Sequence, residues 1–71
     1  MRFSNLEAEI KRADLSVDDV AKALDYDRAT LYNRLNGKTK WTLCDMLKVQ
    51  EYLNEKTGQH LALDYLFKME L

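Results

Sequence analysis

Three times in this chain a serine or threonine stands three residues before a carboxylate, and each occurrence predicts the start of a helix. The pairs are Ser4 with Glu7, Ser16 with Asp19, and Thr42 with Asp45. The hydroxyl can accept a hydrogen bond from a free backbone N–H of the first turn, and the carboxylate lies at the positive end of the helix dipole. Asp27 is expected to cap a further helix alone. The chain is therefore expected to form short helices with sharply defined starts.

Apolar spacing agrees with these start signals and predicts five helices, at 5–13, 17–24, 28–36, 43–56 and 63–68. The positions expected to face the core are Phe3, Leu6, Ile10 and Ala13; Val20, Ala21 and Leu24; Leu31 and Leu35; Leu43, Met46, Leu47, Gln50 and Leu53; and Leu63, Leu66 and Phe67. Gly37 and Gly58 are placed to end the third and fourth helices. Because the 71 residues include no proline and few β-branched side chains, we expect one all-α domain covering 1–71.

Charge is distributed unevenly along the chain, although the net charge is only −1. Residues 1–27 hold seven acids against four bases, and residues 45–71 hold five acids against three bases. The stretch 28–44 carries four bases, Arg28, Arg34, Lys38 and Lys40, and no acid. A gathered positive charge of this kind is typical of a surface that contacts an anionic partner.

The second and third predicted helices are joined by only three residues, Asp25-Tyr26-Asp27. Two short helices with so tight a turn indicate a helix-turn-helix unit, whose second helix can enter the major groove of DNA. Leu31 and Leu35 point to one side of that helix, and an Arg and an Asn on the adjoining arc can bind guanine and adenine edges. The two lysines that follow are placed to contact phosphates.

The stretch from Ser16 to Gly37 resembles the helix-turn-helix of the phage repressor and Cro-like (XRE) family. The residues that carry this resemblance are Val20-Ala21, Leu24, Thr30-Leu31 and Asn36-Gly37-Lys38, with Asn5-Leu6 and Glu9-Ile10 before them and Trp41-Thr42-Leu43 and Asp64-Tyr65-Leu66-Phe67 after them. The resemblance implies a compact five-helix repressor-like domain that binds double-stranded operator DNA and regulates transcription. It covers nearly the whole chain in register.

The resemblance also implies specific contacts with DNA. Base contacts would come from Arg28, Ala29, Tyr32 and Asn33, and phosphate contacts from Asn36, Lys38, Lys40 and Thr42. Asp25 stands where the family usually has a glycine, in a turn that an aspartate can also form. Trp41 is expected to plug the joint between the third and fourth helices rather than to stack on a base.

One recognition helix reads only a few base pairs, so a homodimer on paired half-sites is expected. The apolar residues of the tail that exceed the needs of a small core are Leu61, Tyr65, Met69 and Leu71, and they are the candidates for the dimer contact. Their alternative role is to close the base of the monomer.

A second class of function remains open, in which the helix-turn-helix serves as a protein–protein interaction module such as an antirepressor. The acidic sequence pI, about 5.7, favours this alternative. Two further features favour it. Val17 stands where the family often has a glutamine that bonds a phosphate, and the adjacent acids Asp18 and Asp19 would repel a phosphate.

Other classes are disfavoured by the residue inventory. Cys44 and His60 are too few for a zinc site, which needs about four ligands. No catalytic triad, phosphate-binding glycine loop or paired carboxylates in a pocket can be found, so no enzyme activity, cofactor or small-molecule substrate is expected. A single cysteine and the lack of a signal-like or membrane-spanning apolar run predict a cytoplasmic protein without membrane contact.

Overall fold

The computed structural model describes residues 3–69, and the described chain is all-α, as predicted. It contains five helices: α1 (Ser4–Arg12), α2 (Val17–Ala23), α3 (Arg28–Leu35), α4 (Leu43–Thr57) and α5 (Leu63–Leu66). Each of them begins and ends within two residues of the predicted bounds. None of the described helices combines the length and apolar character that crossing a bilayer requires.

Two of the three predicted capping pairs form. The Ser16 hydroxyl accepts from Asp19 N–H at 3.1 Å, and Asp19 Oδ2 accepts from Ser16 N–H at 2.9 Å. At the start of α4, Thr42 Oγ1 accepts from Asp45 N–H at 3.2 Å. Both contacts satisfy backbone donors that the first helical turn would otherwise leave free.

The other two predicted helix starts differ from expectation. Helix α1 begins at Ser4 itself, so the serine is helical and Phe3 occupies the capping position without a side-chain cap. The reason is tertiary, since Phe3 is buried in the core and its N–H donates to the Leu35 carbonyl at 3.4 Å. Asp27 does precede α3, but its side chain makes no capping hydrogen bond.

The turn between α2 and α3 depends on a left-handed residue. Asp25 has φ of 59°, as expected for a residue standing in a glycine position. The next residue, Tyr26, donates its N–H to the Ala21 carbonyl at 2.8 Å and so fixes the reversal of the chain. Helix α2 packs directly on α3 after this turn.

The core lies at the centre of the five helices. Its buried members within residues 3–69 are Phe3, Leu6, Ile10, Val20, Ala21, Leu31, Leu35, Val49, Leu53 and Leu66. Trp41 packs edge-on against Phe3 and Phe67, with ring centroids 6.2 and 4.9 Å away. Trp41 therefore joins the start of α1 to the end of α5, so its role is in packing.

The predicted core face of α4 is wrong at two positions. Leu43 and Leu47 are 62% and 45% exposed, whereas Val49 and Leu53 are buried. At ~100° per residue, Leu47 lies about 120° around the helix from Leu53, but Val49 lies only about 40° from it. The apolar pattern of α4 covers more than one face, and packing selects the face centred on Leu53.

One carboxylate is buried beside the core. Glu9 is only 3% exposed, and its Oε2 accepts from the Tyr65 hydroxyl at 2.7 Å and from Arg12 Nη1 at 2.6 Å. These donors compensate the cost of removing a carboxylate from water. The Tyr65 contact fastens the C-terminal segment to α1.

Candidate nucleic-acid interface

Helix α3 is half embedded and half open. Leu31 and Leu35 are buried on its inner side. The outer side exposes the predicted readers Arg28, Ala29 and Tyr32 and the predicted phosphate contact Asn36, whereas the reader Asn33 is half-buried. The four predicted base-contacting residues thus lie on one helix whose opposite side fixes it to the core.

Arg28 is held by an acid from the neighbouring helix. Its Nε lies 2.9 Å from Asp18 Oδ1, and its Cζ lies 5.4 Å from the Tyr32 ring centroid. Both charged side chains are well exposed, at 65% for Arg28 and 45% for Asp18. The Tyr32 side chain and then the Asp18 charge raise the pKa of Arg28, so its guanidinium is positive at every physiological pH.

Arg34, the second base of the positive stretch, is not available to a partner. Its Nη1 lies 2.6 Å from Asp45 Oδ2, and both side chains are less than one-fifth exposed. Its guanidinium also lies over the Tyr26 and Trp41 rings, 5.1 and 5.8 Å from their centroids. Arg34 therefore joins α3 to the start of α4.

Asp45 is the acceptor at the centre of this junction. It accepts hydrogen bonds from the Tyr26 hydroxyl, from Arg34 and from the Thr42 hydroxyl. The Tyr26 bond, with Thr42 and the Arg34 charge, lowers the pKa of Asp45 despite its partial burial. Burial, and then the hydrogen bond to Asp45, raise the pKa of Tyr26 to about 12. Asp45 is therefore ionised and Tyr26 protonated at neutral pH.

The loop after α3 presents two free lysines. Gly37 takes a left-handed φ of 79°, and the Lys38 N–H donates back to the Asn33 carbonyl at 2.9 Å. Lys38 and Lys40 are both exposed, and neither forms an ion pair with any residue in 3–69. The loop therefore places two uncompensated positive charges beside the exposed side of α3.

The predicted phosphate contact at Thr42 has its hydroxyl engaged within the protein. Thr42 Oγ1 accepts from Asp45 N–H and donates to Asp45 Oδ2 at 2.8 Å. An anion at this helix start would also meet the Asp45 charge in the first turn. Thr42 is thus built into the junction between α3 and α4.

The predicted dimer residues occupy different environments. Leu61 packs partly against the core, and its backbone bonds to Gln50 and Asn54. Tyr65 is 38% exposed while its hydroxyl is bonded to Glu9, and Met69 is 40% exposed. Leu71 lies outside the described residues.

Two acidic partners of the positive stretch are not predictable from the sequence. The sequence marks Asp18 only as a charge that opposes phosphate binding and Asp45 only as a helix-start residue, yet each forms an ion pair with an arginine of that stretch. Helical spacing gives no signal for these pairs, because each joins two helices. Residues 3–69 hold no group of three or more His, Cys, Asp or Glu side chains arranged to bind a metal.

Residues 3–69 form a five-helix all-α fold in which α3 has a buried inner side, an exposed outer side and a following loop with two exposed lysines. Comparison with known proteins finds no match to any family, to any curated protein or to any solved structure.

Proposed function

We propose that this chain is a sequence-specific double-stranded DNA-binding regulator of transcription, of the repressor or Cro-like kind, with α3 as its recognition helix. The observation that carries the proposal is the arrangement of α3. Two buried leucines fix its inner side, and its outer side exposes Arg28, Ala29 and Tyr32 next to the free lysines 38 and 40. On this proposal α2, the tight turn and α3 form a helix-turn-helix.

The outer side of α3 suits a major groove in both size and chemistry. An α-helix with its side chains is about 10–12 Å across, and the groove is about 12 Å wide. The Arg28 guanidinium can donate two parallel hydrogen bonds to guanine O6 and N7, and an amide such as that of Asn33 can pair with adenine. Lys38 and Lys40 supply phosphate contacts that carry no sequence information.

The size of the domain favours a homodimer on DNA. Its principal-axis extents are 29, 24 and 21 Å, whereas successive major grooves on one face of the duplex lie roughly 34 Å apart. One copy can therefore cover only one half-site. The half-buried Leu61 and the partly exposed Tyr65 and Met69 remain the described candidates for the contact between copies.

The proposal is tested by selecting bound sequences from random duplex DNA at two salt concentrations. Enrichment of a short motif, repeated in inverted orientation about one helical turn apart, is the expected result. Equal binding to the full palindrome and to its isolated half would contradict the dimer. Failure to enrich any motif would reject sequence-specific binding.

The first substitution test concerns Arg28 and Asn33. Replacing either by alanine removes one base contact, so discrimination for the selected motif should fall by about 1–3 kcal/mol. Competition titrations against duplexes with single base changes measure this loss position by position. Lys56→Ala, an exposed position on α4 outside the proposed interface, serves as the control and should leave discrimination unchanged. Wild-type selectivity in both alanine variants would show that other residues read the bases.

The second substitution test concerns Lys38 and Lys40. Each exposed lysine that neutralises one phosphate contributes about 0.9 to the slope of log K against log salt. Lys38→Ala and Lys40→Ala should therefore each lower that slope by about one unit and weaken all duplexes alike. Lys56→Ala, on the remote half of α4, should leave the slope unchanged. An unaltered slope in the double variant would place both lysines outside the interface.

A protein–protein interaction module is the second candidate, and the exposed leucines of α4 favour it. Leu43 and Leu47 lie on one face of that helix, one turn apart, and both remain largely open to solvent. An apolar face of this kind is a common element of protein contacts. The duplex selection separates the two candidates, because a module without DNA affinity would enrich nothing.

A further inference from the structure

We infer that Asp18 is a specificity-determining residue, which positions Arg28 for base recognition and suppresses its contacts with phosphates. The inference rests on the proposed function and refines it. It starts from the ion pair between Asp18 Oδ1 and Arg28 Nε, at 2.9 Å across the α2–α3 turn.

The position of Asp18 beside Nε of Arg28 determines which guanidinium hydrogens are available to a DNA base. A guanidinium has one hydrogen on Nε and four on its two Nη atoms. The ion pair places Asp18 Oδ1 beside Nε, at 2.9 Å, which leaves the two Nη groups for other acceptors. Guanine O6 and N7 need only two of their four hydrogens. Tyr32 lies under the same guanidinium, with 5.4 Å between Cζ and the ring centroid. Asp18 and Tyr32 together restrict a long side chain that would otherwise sample many rotamers.

The charge of Asp18 acts differently on the two modes of DNA binding. Non-specific binding depends almost wholly on phosphate neutralisation, and an arginine already facing a carboxylate gains less from a phosphate. The carboxylate also repels any phosphate that approaches the start of α3. In a specific complex the guanine contact is made through Nη, so the Asp18 pair can persist. Asp18 therefore weakens non-specific binding more than specific binding and increases the ratio between them.

The neighbouring charges support a role for Asp18 in particular. Asp19 is engaged with Ser16 in the capping box, and Asp45 is engaged with Arg34, Tyr26 and Thr42. Lys38 and Lys40 have no acidic partner within the described chain. Arg28 is thus the one reader among Arg28, Ala29, Tyr32 and Asn33 that forms an ion pair in residues 3–69.

The test compares Asp18→Asn with Asp18→Glu and with Glu55→Gln. Glu55 is exposed on α4 and forms no ion pair within 3–69, so its substitution removes one negative charge away from α3. Each protein is titrated with the duplex selected by the wild type and with a scrambled duplex of the same length and composition. Thermal unfolding of each variant shows that it is folded.

Asp18→Asn should bind the scrambled duplex roughly 2- to 5-fold more tightly, the range expected from an exposed ion pair. Its salt slope on that duplex should steepen by about 0.9, because Arg28 becomes free to neutralise a phosphate. Binding to the selected duplex should gain less, so the specificity ratio falls. Asp18→Glu should restore the ratio toward the wild-type value. Glu55→Gln should change the affinity for both duplexes by the same factor.

A second readout needs no DNA. In the free protein, the Arg28 Nε–Hε resonance should shift in Asp18→Asn and stay unchanged in Glu55→Gln. If duplexes bind but Asp18→Asn behaves like Glu55→Gln in the specificity ratio, the role of Asp18 is rejected and the proposed function stands. If the wild type binds no duplex at all, both are rejected.

Discussion

Replacing Leu53 by alanine is expected to reduce the free energy of unfolding by about 2–5 kcal/mol, the usual cost of a large-to-small change in a core. Leu53 is fully buried near the middle of the core side of α4. A domain of 71 residues has a total stability of about 4–11 kcal/mol at typical values per residue. The substitution should therefore leave much of the protein unfolded at moderate urea concentrations.

Two alanine variants on the same helix provide the control. Leu43→Ala and Leu47→Ala remove the same atoms from positions that are 62% and 45% exposed. Each is expected to change the free energy of unfolding by about 0.5 kcal/mol or less. Urea titrations followed by circular dichroism measure all three variants. If Leu43→Ala or Leu47→Ala reduced the free energy of unfolding as much as Leu53→Ala does, the core face assigned to α4 would be contradicted.

A second large reduction in the free energy of unfolding is expected when Asp45 is replaced. Asp45→Asn keeps the size of the side chain but removes the charge opposite Arg34, whose side chain is only 19% exposed. Removing one member of a buried ion pair costs about 3–5 kcal/mol, and partial exposure here should reduce the loss to about 2–3 kcal/mol. Urea unfolding at neutral pH measures it. The matched control is Glu55→Gln, a surface change on the same helix.

The contribution of Asp45 should also depend on pH. Because its pKa is lowered in the folded state, its stabilisation is present above the unfolded pKa of about 4 and is lost as pH falls through the folded value. The stability difference between wild type and Asp45→Asn should therefore shrink in acid. A difference that stays constant from neutral pH to pH about 2 would show that charge is not its source.

The contribution of Tyr26 to the free energy of unfolding should decrease at high pH, whereas that of Asp45 decreases at low pH. Its pKa is raised to about 12, so the stability it contributes is full below the unfolded pKa of about 10 and is lost as pH rises from there to about 12. This loss should be smaller in Asp45→Asn, because hydrogen bonding to the carboxylate is one cause of the raised pKa. Urea unfolding of wild type and Asp45→Asn between pH about 10 and about 12 measures whether stability falls as predicted.

The sequence by itself determined where helices occur. Capping residues and left-handed turn positions are local signals, since a hydroxyl reaches only the next turn and a positive φ involves one residue. The capping box at Ser16, the cap at Thr42 and the left-handed Asp25 therefore followed from the sequence. The exposed candidates on α3 were also predictable, because Leu31 and Leu35 mark its inner side.

Only the tertiary structure decided which apolar and charged residues face each other. Leu43, Leu47, Val49 and Leu53 are all apolar, and helical spacing alone cannot say which arc of α4 the other helices cover. The stretch 28–44 contains no acid, but two of its bases form ion pairs with acids outside it. Asp18 pairs with Arg28, and Asp45 pairs with Arg34. Coulomb interactions depend on distance in space and not along the chain. Packing consequently decides which of these charges are paired. Of the four bases in 28–44, Lys38 and Lys40 are the two that form no ion pair within residues 3–69.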